Sequence, residues 1–453
     1  MTLETASSAP TAALRIGWIG LGSMGLPMAV NLQTLLSQTA LNAEVVAQLP
    51  FAVEPVLTVY NRTLTKCKSV VSLGAKVASS VTALAMECQV IFTSLANDAA
   101  VEAVYADILA GLATRPKGVL QPVYLVETST ISPELTTKLC GQIQLQAAAQ
   151  PTTQPIYFLR CPVFGPPTAA QCASLVWVLS GPEPARRAIQ QLVIPSLGRG
   201  VLDVGDEVVQ GSHMKLMGNF FVASALESLA EGAVLAEKSG LGTAKMAEFL
   251  QWMFPVGSFT NYGRKMVRPE EREALHYDNM VSAAATINAP VVNPSCGSTP
   301  SIPVSRRSSQ MLSSASPPGP SVLMDSVTMA GNVAPMGCDT PVSTPTADDA
   351  SEVEQDGFIT DVGFTVDLGL KDVGLIRQFA KSHQCSIPTV DALHRHLSTM
   401  QQHGCNRWDW SSAVVASRWE AQLPGYYNDT SGHWLPQNDR ESNSTNEPGP
   451  SHT

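Results

Sequence analysis

Residues 15–31 read RIGWIGLGSMGLPMAVN, a short apolar strand that runs into three glycines and leaves them as an apolar helical pattern. The strand covers Ala13 to Ile19, the glycines are Gly20, Gly22 and Gly25, and Met24, Met28, Ala29 and Leu32 follow at helical spacing. A strand, a G-x-G-x-x-G turn and a helix in this order form a dinucleotide-binding unit. Gly20 permits the tight turn, Gly22 lets backbone amides approach a pyrophosphate, and Gly25 lets the helix pack closely on its strand. The phosphates lie at the helix N-terminus, where free N–H groups and the helix dipole favour an anion. The cradle therefore comprises Gly20, Leu21, Gly22, Ser23, Met24 and Gly25.

Outward from this unit, strand-like runs recur at Val56 to Tyr60, Val90 to Leu95, Val123 to Glu127, Tyr157 to Leu159 and Leu175 to Ser180, with helical patterns between several of them. That alternation predicts an α/β fold, a Rossmann domain with a doubly wound parallel sheet. Gln33 to Glu54 exceeds the usual spacing of about twenty residues to the second strand and reads as a lengthened first helix and loop. From Asp206 to Ser239 the pattern becomes one amphipathic helix ended at Gly240, roughly 50 Å long at about 1.5 Å per residue, enough to leave one domain and enter another. Further helical patterns at Ala244 to Met253, Val373 to Ser382 and Thr389 to His403 predict an all-α C-terminal domain. The expected organisation is a flexible leader (1–12), an NADP-binding Rossmann domain (13–205), an all-helical domain (206–426) interrupted by a disordered insertion (277–355), and a disordered tail (427–453). The insertion and tail are rich in Ser, Pro, Thr and Asn and lack periodic apolar positions, so they bury too little surface to order themselves.

The net charge of −10, without a Lys/Arg cluster, argues against nucleic acid as a partner. Nine cysteines, an odd number without CxxC spacing, suggest reduced thiols rather than a disulfide framework or a metal site. Cys161 and Cys172 read as small core residues, and Trp252, Phe254 and Trp410 as core aromatics. No run approaches the ~20 apolar residues of a membrane helix, and the first residues lack a basic, apolar leader pattern. A cytoplasmic protein without a membrane partner is expected.

The second strand ends in Val59-Tyr60-Asn61-Arg62-Thr63, where an NAD site more often carries an acid for the ribose diol. A guanidinium can instead bond an adenosine 2′-phosphate, worth about 1.5 to 3 kcal/mol. NADP is expected over NAD, in a pocket of Asn61, Arg62 and Thr63, with a solvated surface arginine as the alternative. Glu127 to Pro133, ETSTISP, emerges from an apolar strand at the carboxyl end of the sheet, where ligands bind in open sheets. A capping turn with Ser132 or Thr130 as N-cap and Pro133 at the first helical position fits equally. On the long helix Gly211, Lys215 and Asn219 recur every four residues and share a face. A buried lysine there could exchange a proton with a substrate hydroxyl while Asn219 holds the same oxygen. An ordinary solvated face has the same spacing. His213 falls on a different face and reads as structural.

In this order, GWIGLGSMGLPMAVNL, VYNRT, SLANDAAVEAV, ETSTISP, PVFG, GSHMKLMGN and GFTVDLGLKDVGL resemble the beta-hydroxyacid dehydrogenase family, and more distantly 6-phosphogluconate dehydrogenase. The resemblance covers most of the chain outside the leader, the insertion and the tail. It implies an NADP-dependent oxidoreductase that interconverts a hydroxyacid, or a related alcohol, and its aldehyde or ketone, acting on a small molecule as a homodimer or higher homo-oligomer. It further implies that Leu95, Ala96 and Asn97 lie on the nicotinamide side, Thr130 on the cofactor and Ser129 toward the substrate. Lys215 would be the acid/base and Asn219 its orienting partner, while Lys371 would reach back from the helical domain. The substrate loop departs from the family. Where an Asp-x-Pro-Val-Ser-Gly-Gly run is usual, this chain has Arg160-Cys161-Pro162-Val163-Phe164-Gly165-Pro166-Pro167, so Phe164 removes a hydroxyl beside Gly165 and Pro166 removes an amide donor. Gly218 stands where 6-phosphogluconate dehydrogenase has a histidine. Two other readings accompany these departures: an NADP-binding scaffold or sensor whose catalytic site has decayed, and a 6-phosphogluconate dehydrogenase-like enzyme with a different substrate.

Overall fold

The computed structural model describes residues 13–39, 51–115, 121–149, 155–268, 271 and 362–425. They belong to one compact unit, Met1–Leu275 with Val353–Thr453. The leader, the insertion and the tail lie outside the described residues, as does part of the Gln33 to Glu54 stretch.

A parallel sheet of order β3-β2-β1-β4-β5-β6 is built from β1 (Ile16–Ile19), β2 (Thr58–Tyr60), β3 (Lys76–Val77), β4 (Val90–Thr93), β5 (Val123–Glu127) and β6 (Ile156–Arg160). Helices α1 (Gly25–Thr39), α2 (Val81–Glu87), α3 (Asp98–Ala113) and α4 (Pro133–Ala149) connect the strands. β1, β4 and β5 are buried at every residue, as strands covered on both faces must be. On one side Trp18 stacks on Phe92 at 4.9 Å, while Ile19, Ile91 and Leu125 join Leu84, Ile108 and Leu139 in another core cluster. The register aligns Tyr60 and Thr93 with Ile19, Thr93 with Glu127, and Glu127 with Arg160, so the carboxyl ends of five strands form one edge. Strand order reverses between β1 and β4, the crevice that receives ligands in such sheets.

The run Leu175 to Ser180 does not extend this sheet. It forms β8 (Leu175–Leu179) in a second sheet, antiparallel to β7 (Val163–Phe164) and parallel to β9 (Gly198–Asp203). A parallel neighbour needs a crossover of a dozen or more residues. After β6 the chain instead turns back through β7 and the short helix Pro167–Gln171, and Ser180 bridges Arg160 in antiparallel fashion. Cys172 caps that short helix and is exposed, which corrects its expected place in the core, whereas Cys161 is buried.

α5 (Glu183–Val193) precedes β9, and the 30-residue α6 (Val209–Lys238) leaves the sheets. Ser239 caps α6 and Gly240, at φ +76°, turns the chain away. α7 (Thr243–Met253), α8 (Gly257–Lys265), α9 (Val366–Ser382), α10 (Pro388–Gln402) and α11 (Ala413–Glu420) pack around it. Leu216, Leu226 and Leu229 of α6 share a core with Val373, Ile376, Leu397 and Val414. Against expectation, α6 is long and apolar enough to cross a membrane by length and composition; its Leu and Ala residues supply that hydropathy and here form the spine of the helical cluster. Trp410 is core, in edge contact with Phe364 and Tyr262, but Trp252 is 81% exposed and Phe254 44%. On α7 the inward positions are Ala247 and Leu250, which leaves Trp252 on the other side.

Candidate active site

At the glycine loop, Gly20 has φ +97°, and an added Cβ would lie 2.2 Å from the Ser94 carbonyl oxygen. At Gly25 it would lie 2.1 Å from the Gly20 carbonyl oxygen. No other residue fits either position. At exposed Gly22 an added Cβ meets nothing within 4 Å, so this glycine borders open space at the start of α1. That pattern, two glycines demanded by the fold and one facing outward, fits a loop that receives a pyrophosphate. Asn61 braces the loop: its Oδ1 accepts the Leu21 N–H at 2.9 Å and its Nδ2 donates to the Thr63 carbonyl at 2.9 Å. Arg62 and Thr63 are exposed, and Arg62 makes no ion pair or hydrogen bond among the described residues. The guanidinium beside the loop is therefore free to take an anion.

Leu95, Ala96 and Asn97 follow β4 at the carboxyl edge. The Leu95 N–H donates to Ser129 Oγ at 2.8 Å, tying the β4 and β5 loops together, so Ser129 is buried and already engaged. Asn97 is the N-cap of α3, its Oδ1 accepting the Ala100 N–H at 3.0 Å. Ser132, rather than Thr130, caps α4 through the Leu135 N–H at 3.1 Å. Thr130 meets the helical cluster: Lys371 on α9 donates to its carbonyl oxygen at 2.6 Å.

Lys215 stands on α6 where the helix passes the second sheet. Its ammonium donates to the Val163 carbonyl at 2.8 Å and lies 4.5 Å from the centre of the Phe164 ring. Burial pushes this lysine down to about 8, with the Lys371 and Arg160 charges acting in the same direction and Asp372 opposing. One turn on, Asn219 Nδ2 donates to Asp372 Oδ2 at 2.7 Å, and Asp372 Oδ1 pairs with the Lys371 ammonium at 2.9 Å. The structure thus brings together Lys215, Asn219, Lys371, Thr130 and Ser129, and adds Asp372, whose role the sequence did not disclose. Next to Lys371 in the chain, Asp372 looks like half of a solvated charge pair. His213 stacks on Phe379 at 5.0 Å, in keeping with a structural place.

Beneath the site lies a buried polar network that sequence reading also missed. Arg160, fully buried at the end of β6, donates to the Glu127 carbonyl at 2.8 Å, to Ser212 Oγ at 3.0 Å and to the Ser129 carbonyl. The fully buried Glu127 carboxylate accepts from Thr93 Oγ1 and from the Ser129 N–H, each at 2.6 Å. Burial raises the Glu127 carboxyl and lowers the Arg160 guanidinium, and their proximity opposes both shifts. The signal available in the sequence was a charge closing each of two apolar strands, VYLVE and IYFLR.

The NAD-binding domain of 6-phosphogluconate dehydrogenase matches residues 52–205, beyond the glycine loop. An uncharacterized oxidoreductase of Bacillus subtilis, YfjR, is 33% identical over 253 residues, covering 56% of this chain and 78% of that protein. The NADH-dependent oxidoreductase ucdB of Aspergillus ustus is 29% identical over 216 residues, 47% of this chain and 68% of its own. The chain belongs to the beta-hydroxyacid dehydrogenase family. Its fold is that of the Mycobacterium tuberculosis 3-hydroxyisobutyrate dehydrogenase solved with L-serine, with a TM-score of 0.54 at 18% identity over 90% of this chain and 100% of that one. Within this family the chain is an oxidoreductase with a pyridine-nucleotide-binding domain.

Proposed function

We propose that this family member uses NADP to interconvert a hydroxyacid, or a related alcohol, and its aldehyde or ketone, with Lys215 as general acid/base. The observation that carries the reading is the ammonium of Lys215 at the junction of sheet and helical cluster, hydrogen-bonded to a carbonyl oxygen instead of a carboxylate. A lysine whose pKa lies near working pH can both give and take a proton. The nucleotide, when bound, supplies or takes up the hydride. The loop Gly20 to Gly25 would hold its pyrophosphate and Arg62, with Asn61 and Thr63, its 2′-phosphate, while Leu95, Ala96, Asn97, Thr130 and Lys371 would flank the nicotinamide. In reduction Lys215 donates its proton to the carbonyl oxygen; in oxidation the neutral amine removes the hydroxyl proton. Asn219 is held by Asp372 through one N–H and keeps its other N–H and its carbonyl oxygen for the substrate. A homodimer or higher homo-oligomer belongs to the same proposal on the family resemblance, and a cytoplasmic place on the reduced-thiol reading of the cysteines. The altered loop at Phe164 favours a second reading, a nucleotide-binding protein without catalysis; the intact Lys215, Asn219 and Asp372 set favours the enzyme.

Fluorescence titration with NADPH and NADH tests the cofactor assignment. Wild type is expected to bind NADPH more tightly, and Arg62→Ala to weaken NADPH about ten- to a hundredfold with NADH changed less than about twofold, as loss of a charge-assisted hydrogen bond requires. Equal binding of the two nucleotides, or tighter binding of NADH, the nucleotide named for the Aspergillus relative, would remove NADP from the proposal. No binding of either would remove the enzyme.

A further inference from the structure

Phe164 and Gly218 form one device. An added Cβ at Gly218 would lie 2.3 Å from two carbons of the Phe164 ring, so the ring is seated in a notch that only glycine leaves open. The loop cannot easily give way. Phe164 is paired in register with Val176, and at Gly165, φ +132°, an added Cβ would lie 2.8 Å from the Leu175 side chain. The ring held in this way presents its face to the Lys215 ammonium. Pro166 and Pro167 contribute no N–H to the loop. On α6, Met217 and Phe221 flank Gly218 in the helix and are 50% and 65% exposed, which extends the apolar surface. The neighbouring cations are engaged, Lys371 by Thr130 and Asp372, and Arg160 by Glu127, Ser129 and Ser212. A carboxylate placed against this wall would lose its water and, among the described residues, gain no free cation except Lys215 itself, with the Asp372 charge nearby.

We infer that Phe164, seated in the Gly218 notch, determines specificity: the substrate carries an uncharged group where a hydroxyacid carries its carboxylate. This rests on the Lys215 reading and chooses between its two substrate classes.

Two matched pairs of compounds test it. Isobutyramide and isobutyrate, which do not react, are titrated calorimetrically into the protein saturated with NADPH, and butanal and succinic semialdehyde are compared as substrates by NADPH absorbance. Wild type is expected to favour the uncharged member of each pair by about tenfold or more, a typical pocket discrimination. Phe164→Ser is expected to move both ratios about tenfold toward the carboxylate, whereas Phe164→Leu, which keeps the wall apolar, retains the wild-type order. Gly218→Ala should weaken isobutyramide binding when Phe164 is present and change it little once Phe164→Ala has removed the ring, the non-additivity expected of two residues in contact. Retained NADPH affinity shows that each variant is folded. A wild-type preference for isobutyrate, ratios unmoved by Phe164→Ser, or binding of neither ligand overturns the proposal. If the ligand ratio behaves as expected while neither aldehyde turns over, the inference about the wall stands and the Lys215 reading fails.

Discussion

Replacing Lys215 by methionine is expected to lower kcat by about 10²- to 10⁴-fold, the usual contribution of a positioned acid/base. Nucleotide affinity should stay near wild type, because Lys215 contacts Val163 and Phe164 instead of the glycine loop. Methionine keeps the stem and removes a charge that burial, Lys371 and Arg160 all disfavour. The protein should therefore remain folded. The pH profile supplies an independent check. For carbonyl reduction the protonated lysine is the active form, so the rate holds at low pH and falls as pH rises through about 8; for oxidation the neutral amine is active, and the rate rises through the same value. Asp372→Asn removes the charge that opposes the shift and should move the inflection to lower pH, while Lys371→Met should move it higher. Initial rates in both directions decide the matter. Turnover by Lys215→Met within about fivefold of wild type, or an inflection that survives the substitution, would take the acid/base role away from this residue.

What the sequence disclosed follows physical necessity. Gly20 and Gly25 were readable because the turn admits no other residue, and β1, β4 and β5 because strands buried on both faces leave continuous apolar runs. β3 is two residues long and exposed, and β9 opens as Gly198-Arg199-Gly200, so neither carries an apolar run to read. Lys215 and Asn219 were visible as one helix face, but what distinguishes that face from a solvated one is Asp372, which reaches it from another helix. The Phe164 and Gly218 pair was equally hidden. Each appears in the sequence as a separate departure from family pattern, and only the approach of the ring to α6 joins them. Asn97 and Asn61 show the reverse case: both lie where cofactor residues were expected, and both side chains brace loops through backbone groups. Long-range pairing is the information that local periodicity does not contain.

Arg160→Met is expected to be the most destabilising of these substitutions. Its guanidinium is fully buried and holds the Glu127 and Ser129 carbonyls and Ser212, while the Glu127 carboxylate beside it is fully buried as well. Removing the cation leaves that carboxylate without its nearby compensating charge and takes the Arg160 donor from the Ser129 carbonyl, while the Glu127 carbonyl keeps the Cys161 N–H at 2.8 Å. Breaking a buried charge arrangement from one side typically costs about 3–5 kcal/mol, more than a packing change of similar volume. Denaturant unfolding should show a lower midpoint with an unchanged slope. Arg160→Lys keeps a charge but cannot reproduce the forked donors, so it should recover only part of the loss. The double variant Arg160→Met with Glu127→Gln removes both charges and should recover most of it, because a buried pair is weak evidence of net stabilisation while half of one is a liability. The same arginine's charge also depresses Lys215, so in a folded Arg160 variant that lacks the charge the inflection in the rate should move above the wild-type value. A mere scaffold residue would lower stability and leave that inflection in place. A loss below about 1 kcal/mol would mean that water reaches Glu127 and that the network is not closed.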